Sequence, residues 1–300
     1  MAVAVPERRS VVVPGRSVAR VLREVARRPA GRFGLLVIGA LLVIVVFTPL
    51  ISPYDPAAQH IVDRLQGPSW RYPLGTDDLG RDLLSRIFFG TRVALGVAFP
   101  AVVGALLLGM LLGTVAGYAG GKIDNALIVV FDTLQAFPAV ILALALISLL
   151  GPSLRNVIIV IIVSFAPGYG RVSRALVLSV KQNSFVEAER SLGASDVRIA
   201  TIHVVPNILA PLCILIAMDI PSAIVVESGL SFLGLGVQPP TPSWGSILSE
   251  GFDRVRDTPW PVLWTGFALM VTTLGFTMFG ETLRDVIDPR FAGLRRLRRP

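Results

Sequence analysis

Three carboxylates, Asp132, Asp219 and Glu227, sit inside otherwise apolar runs of this 300-residue chain. An ionisable side chain at membrane depth costs about 2.5–3.5 kcal/mol on insertion scales, so each needs a task or a partner. Two tasks fit: lining a translocation path or moving helix interface, or relaying protons. The structural alternative is a hydrogen bond to a neighbouring helix, or a place near the membrane surface. Other chemistries are excluded by residue type. Cys213 is the single cysteine, which rules out an internal disulfide and a cysteine zinc cluster. His60 and His203 are too far apart in sequence to suggest a metal site, and His203 reads as an interfacial or packing residue. Gly120-Gly121-Lys122-Ile123 lacks both the first glycine and the Ser or Thr of a phosphate-binding loop. With no clustered Ser/His/Asp set either, no catalytic residue is expected.

A second group of residues suits mechanics rather than catalysis. Ser184-Phe185-Val186-Glu187 has capping-box spacing, with Ser184 placed to accept from the Glu187 amide while Glu187 reaches back. The spacing predicts a short helix through Ala188, Glu189, Arg190 and Leu192, closed by Gly193 in a left-handed cap. Ser195 and Asp196 then begin a second short helix that ends before Pro206. Such an elbow, with Phe185, Val186 and Leu192 apolar, suits a partner's groove; a plain surface hairpin is the alternative. Gly109, Gly113 and Gly117 recur every four residues and therefore share one helix face, where close backbone approach drives packing in lipid. That face is expected to meet another helix, in this chain or in a partner.

The elements that position these residues are membrane spans. Hydrophobic residues make up 53% of the chain and charged ones only 16%, against about a quarter charged in soluble domains. Mean hydropathy is +0.69. A crossing takes roughly 20 apolar residues, and six stretches qualify: 33–51, 93–121, 126–150, 156–170 continuing towards 179, 208–233 and 259–280. Pro167, Gly168 and Gly170 break the fourth. The first lacks a small-x-small exit and reads as a signal anchor. Between the first two spans, Thr76 with Asp77 and Asp78 predicts the start of an amphipathic helix over 77–89 on the outer surface. Gln238 to Pro242 forms a stiff external connector.

The net charge of +8 is topological. Arginines crowd the leader (Arg8 to Arg32), the tail (Arg284 to Arg299) and the stretch from Arg171 to Arg198. With Lys122 and Lys181 they account for twenty of the 28 basic residues and predict one cytoplasmic face holding both termini. Nucleic acid is not an expected partner. The chain divides into a basic N-terminal segment (1–32), a first span with an external segment (33–91), a five-helix domain (92–284) containing the 180–206 loop, and a basic tail (285–300).

Glu187-Ala188-Glu189-x3-Gly193 followed by Val205-Pro206 resembles the EAA loop of binding-protein-dependent ABC importer permeases. Glu189 stands where that motif has a second alanine, and Val205 where it has leucine. Further stretches are similar to the C-type permeases of dipeptide and oligopeptide importers: Pro73 to Asp82, Gly117 to Gly121, Asp132 with Ala136-Phe137-Pro138, Ser231 to Gly236, Pro242 to Gly245, and Arg284 to Arg290. In order, they cover about residues 30 to 293.

The resemblance implies an all-α polytopic protein with a MetI-like type I core and an extra first span, in a bacterial cytoplasmic membrane. It implies a homologous second permease subunit, two ABC ATPase subunits that bind the ATP and Mg, and a solute-binding protein that delivers peptide from outside. No cofactor is expected in this chain. Ser184, Phe185, Glu187, Ala188, Glu189, Leu192, Gly193 and Pro206 would form the ATPase-coupling element. An ion-gradient-driven secondary transporter is the competing expectation; it predicts matched internal repeats, and none is evident. A membrane scaffold that binds partners through the 180–206 loop is another.

Overall fold

The computed structural model describes residues 17–287, so Arg8, Arg9 and Arg16 of the leader and Asp288 onward in the tail lie outside it. Among the described residues the chain is helical, with no sheet. A short helix α1 (Val18–Ala26) precedes the first span, α2 (Pro29–Ile51); α3 (Leu83–Ala119) follows the outer segment. Next come α4 (Gly121–Gln135), α5 (Ala139–Leu150) and α6 (Leu154–Lys181). The 180–206 region holds α7 (Ser184–Ser191), the single turn α8 (Asp196–Arg198) and a π-helical stretch, Ile199–Val204. α9 (Val205–Phe232), α10 (Trp244–Asp253) and α11 (Trp260–Ile287) complete the chain.

Five helices are long and apolar enough to cross a membrane, and the pair α4 and α5, bent by 94°, makes a sixth crossing if taken as one span. Packing supports that count. Gly109 of α3 abuts Ala166, Tyr169 and Gly170 of α6, and Gly117 abuts Arg174 and Val177, so the two helices run parallel. Parallel neighbours require the intervening α4–α5 pair to carry the chain back across. The 126–150 stretch is therefore not the straight span expected. Pro138 lacks an amide hydrogen and drives the preceding Phe137 out of helical geometry, which breaks the helix at Ala136-Phe137-Pro138. The fourth span, by contrast, continues unbroken through Pro167 to Lys181. Arg171 and Arg174 lie within that helix, as the continuation towards 179 predicts.

The glycine stripe packs inside the chain. A Cβ at Gly113 would overlap the Gly170 carbonyl oxygen and lie 2.8 Å from Ser173 Cβ. Small residues on both helices let the backbones touch, which supplies packing where lipid gives little hydrophobic drive. Gly113→Leu is expected to destabilise the purified subunit by about 1–3 kcal/mol or more, because backbone cannot yield as a side chain can. Gly39→Leu is the control, since nothing lies within 4 Å of a Cβ there. Equal thermal stability of the two variants would contradict this account. α2 and α11 pack antiparallel by the same device: Gly34 faces the Gly275 carbonyl, and Gly275 faces Val37. Arg28 and Asp285 then pair at 2.8 Å, which puts the entry of α2 and the exit of α11 on one face.

The outer segment differs from expectation. No helix starts at Thr76, because Asp77 spends one carboxylate oxygen on the Leu79 and Arg81 amides, both at 2.9 Å, and holds a turn through left-handed Gly80. Thr76 instead accepts from the Gln66 amide. The cap is Asp82, which accepts from the Ser85 amide at 2.8 Å and starts a helix continuous with the second span. Burial pushes the Asp82 carboxyl above the ordinary carboxylate range, and its two bonds from Ser85 pull against that shift.

Across from this turn, Ser243 and Ser246 form a reciprocal capping box that begins α10. Trp244 is buried there, donating to the Ile87 carbonyl at 3.1 Å and occupying the space a side chain at Gly90 would fill. Arg86 of α3, 3% exposed, bonds Asp77 and Glu250 of α10, and Arg81 bonds the same two acids. Asp77, Asp78 and Glu250 are close enough to suggest a cation site, but two guanidinium groups already occupy its charge. The network clamps α10 over the outer ends of α3 and α11.

Candidate functional site: the coupling elbow

The elbow begins where α6 ends. Asn183, not Ser184, is the N-cap of α7, with extended backbone (φ −81°, ψ 144°) and no side-chain cap bond. Its side-chain amide donates backwards to the Val180 carbonyl at 3.0 Å, closing α6 instead. Ser184 is already the first helical residue, so the expected capping box does not form. Glu187 still places its charge in the first turn, where the helix dipole favours an acid.

The C-terminal end follows expectation. Gly193 has φ +83°, its amide bonds the Arg190 carbonyl at 3.0 Å, and the Ala194 amide bonds the Glu189 carbonyl at 3.1 Å. These two bonds are a Schellman motif. Ser195 then caps α8, accepting from the Arg198 amide. The second elbow helix does not stop before Pro206. The π-helical turn over Ile199–Val204 joins α8 to α9, and 196–232 passes as one helix. Proline cannot donate to the carbonyl four residues back, so a widened turn just before Pro206 lets the helix continue without that bond.

Val186 is buried beneath α7, in one core cluster with Val177, Ile199 and Val204. The apolar surface left for a partner is therefore Phe185, Leu192 (84% exposed) and Val197. Ala188 and Glu187 lie exposed on α7. Glu189, the departure from the EAA pattern, faces His203 of the π-helical turn at 3.5 Å, and the Phe185 ring also packs near that imidazole.

Two residues that the sequence did not single out fasten this elbow to the bundle. The Tyr118 hydroxyl, at the end of α3, donates to Asp196 at 2.9 Å. Lys181 donates to the Tyr118 carbonyl at 2.7 Å while its ammonium lies 5.0 Å from the same ring centroid. Arg190 adds a longer contact to Asp196 at 3.5 Å. The elbow is thus held to the inner ends of α3 and α6 and is continuous with α9.

The intramembrane acids separate into different environments. Asp132 of α4 pairs with Arg171 of α6 at 2.6 Å, both side chains about half exposed, beside the bend between α4 and α5. Asp124, one helix turn into α4, forms a two-point pair with Arg174 at 2.5 and 2.7 Å. Glu227 is fully buried and accepts from Ser231 at 2.7 Å and Ser228 at 3.3 Å. Ser231 in turn accepts from the Val237 amide, so Glu227 anchors the loop after α9 and faces no path within this chain. Asp219 is only partly buried, close to Tyr169 of α6.

Residues 105–293 match the family described as binding-protein-dependent transport system inner membrane component, and residues 18–68 match the N-terminal TM domain of oligopeptide transport permease C. A dipeptide transport system permease protein of Alkalihalophilus pseudofirmus is 42% identical over 257 residues, covering 86% of this chain and 84% of that protein. A di/tripeptide transport system permease protein of Pseudomonas aeruginosa is 38% identical over 263 residues, covering 86% and 87%. A nickel transport system permease protein of Escherichia coli is 38% identical over 258 residues, covering 86% and 93%.

Proposed function

Because the chain belongs to the binding-protein-dependent transport system inner membrane components, as a non-catalytic permease subunit of an ABC importer in the inner membrane, we propose that its cargo is a di- or oligopeptide. That membership removes the ion-gradient alternative. The names of the dipeptide and di/tripeptide relatives support the peptide assignment, and the nickel relative names a competing cargo.

In this reading a solute-binding protein delivers the peptide outside, a homologous second permease completes the path, and two ATPases dock beneath, holding ATP and Mg between them. The observation that carries the docking assignment is the rigid elbow itself. Phe185, Leu192 and Val197 stand outward on a Schellman-closed turn that Tyr118 and Lys181 tie to the spans. Ser184, Glu187, Ala188, Glu189 and Gly193 shape that turn, and Pro206 sets where it passes into α9. Closure of the ATPase dimer then tilts α3, α6 and α9 together. Elbow and both chain ends share one face by the alternation of six crossings, and the arginine excess assigns that face to the cytoplasm.

Uptake of radiolabelled dipeptide into vesicles bearing the complete transporter tests the proposal. Uptake is expected to require both ATP and the binding protein. Uptake sustained by a proton gradient without ATP would overturn it, and ATP-driven uptake of nickel but not peptide would reassign the cargo.

A further inference from the structure

Helix α1 takes no part in the elbow, yet its nine residues are sorted by chemistry without exception. At about 100° per residue, Val18, Val21, Leu22 and Val25 fall on one face, with Ala19 and Ala26 along its edge. Arg20, Arg23, Glu24 and Arg27 fall on the other. Protein covers the apolar stripe at one end only. Val25 is fully buried, packed into the space that a Cβ on Gly31 of α2 would need. Further back along the same stripe, Leu22 is 39% exposed and Val18 is 75% exposed. The charged face is open as well: Arg20, Arg23 and Arg27 are exposed, and none is paired with an acid among the described residues. Arg28, the next basic residue, is the one that pairs with Asp285 of α11.

We propose that α1 is an interfacial helix that binds anionic phospholipid headgroups, with Arg20, Arg23 and Arg27 on the phosphates and Val18 and Leu22 among the acyl chains. Only Arg27 and Arg28 separate α1 from Pro29, the first residue of α2, and the helix is roughly 14 Å long, so it stays at the end of that span. A bilayer surface there is apolar on one side and anionic on the other, which matches both faces of α1 at once. A soluble acidic partner would answer the arginines and leave Val18 and Leu22 in water. A plain apolar groove would cover those two and strand the guanidinium groups. Guanidinium is weakly hydrated and meets phosphate with two parallel bonds, so it suits this layer better than a compact ammonium. Because α1 also packs against α11, lipid held there fastens α2 and α11 together on the face that carries the elbow.

The cytoplasmic placement of α1 rests on the orientation proposed above; the lipid contact is tested without it, because a nanodisc exposes both faces. The complete transporter, carrying a fluorophore on Leu22→Cys in a Cys213→Ala background, is placed in phosphatidylcholine nanodiscs. These contain equal small fractions of either spin-labelled phosphatidylglycerol or spin-labelled phosphatidylcholine. Quenching by the anionic lipid is expected to exceed that by the zwitterionic one about threefold, and to lose this preference at about 0.5 M salt. Arg20→Gln, Arg23→Gln and Arg27→Gln together should abolish the preference, and the three lysine substitutions should keep most of it. A label on Leu50→Cys, 80% exposed near the other end of α2, should show none. Equal quenching by both lipids at Leu22, a preference that survives the glutamine substitutions, or the same preference at Leu50 would overturn the proposal. Quenching by neither lipid, which marks a helix covered by the ATPases or another protein, would overturn it too. Labelling of Leu22→Cys by an impermeant thiol reagent outside intact cells would overturn the orientation alone.

Discussion

Replacing Arg86 by methionine is expected to cost about 3–5 kcal/mol of stability, the range for removing one partner of a buried ion pair. The size follows from what the guanidinium leaves behind. Asp77 is as buried as Arg86, and Glu250 is only partly exposed, so both acids keep their charge with Arg81 as their remaining cation. The outer turn through Gly80 and helix α10 would loosen together, since Glu250 is the α10 end of the clamp. A fall in the thermal midpoint of the purified transporter, with loss of binding-protein-stimulated ATP hydrolysis, is the expected signature. Adding Glu250→Gln to Arg86→Met should recover part of the stability, because the uncompensated charge is the damaging feature. A single variant as stable as wild type would show that Arg81 alone holds the network.

The second large effect is expected at Gly193. Gly193→Pro should abolish coupling, lowering dipeptide uptake and stimulated ATP hydrolysis at least tenfold while the chain still inserts. Space is not the reason, since nothing lies within 4 Å of a Cβ there. The backbone is. Proline fixes φ near −65° where the native value is +83°, and it deletes the amide that bonds the Arg190 carbonyl. Gly193→Asn is the companion variant, because asparagine tolerates the left-handed region; it should retain most activity. Proline and asparagine variants that both transport normally would remove the elbow from the coupling route.

Much of this was legible along the chain because it is local. Six apolar runs, the arginine asymmetry and the Gly193 cap depend on neighbours within a few residues, and spacing alone reports them. The failures were also local in origin. Thr76-Asp77-Asp78 and Ser184-x-x-Glu187 have the residues of helix starts, but Asp77 and Asn183 had other backbone groups to satisfy, and the true caps lie at Asp82 and Asn183. Short polar side chains choose among nearby amides, and spacing cannot say which competitor wins.

The tertiary structure decided what long-range pairing controls. Composition announced that Asp132, Asp219 and Glu227 are costly, in identical terms for all three. Only the packed helices show that Arg171, 39 residues away, answers Asp132, that serines on its own helix answer Glu227, and that Asp219 lies beside Tyr169. The same holds for the outer clamp, where Arg86 and Glu250 are separated by 164 residues, and for Tyr118 and Asp196 at the elbow, separated by 78. The sequence by itself determined the apolar runs of a polytopic membrane protein and the Gly193-closed turn, because hydrophobic length and local capping are properties of contiguous residues. Which partner answers each charge is a property of helix faces brought together, and it exists only in the folded chain.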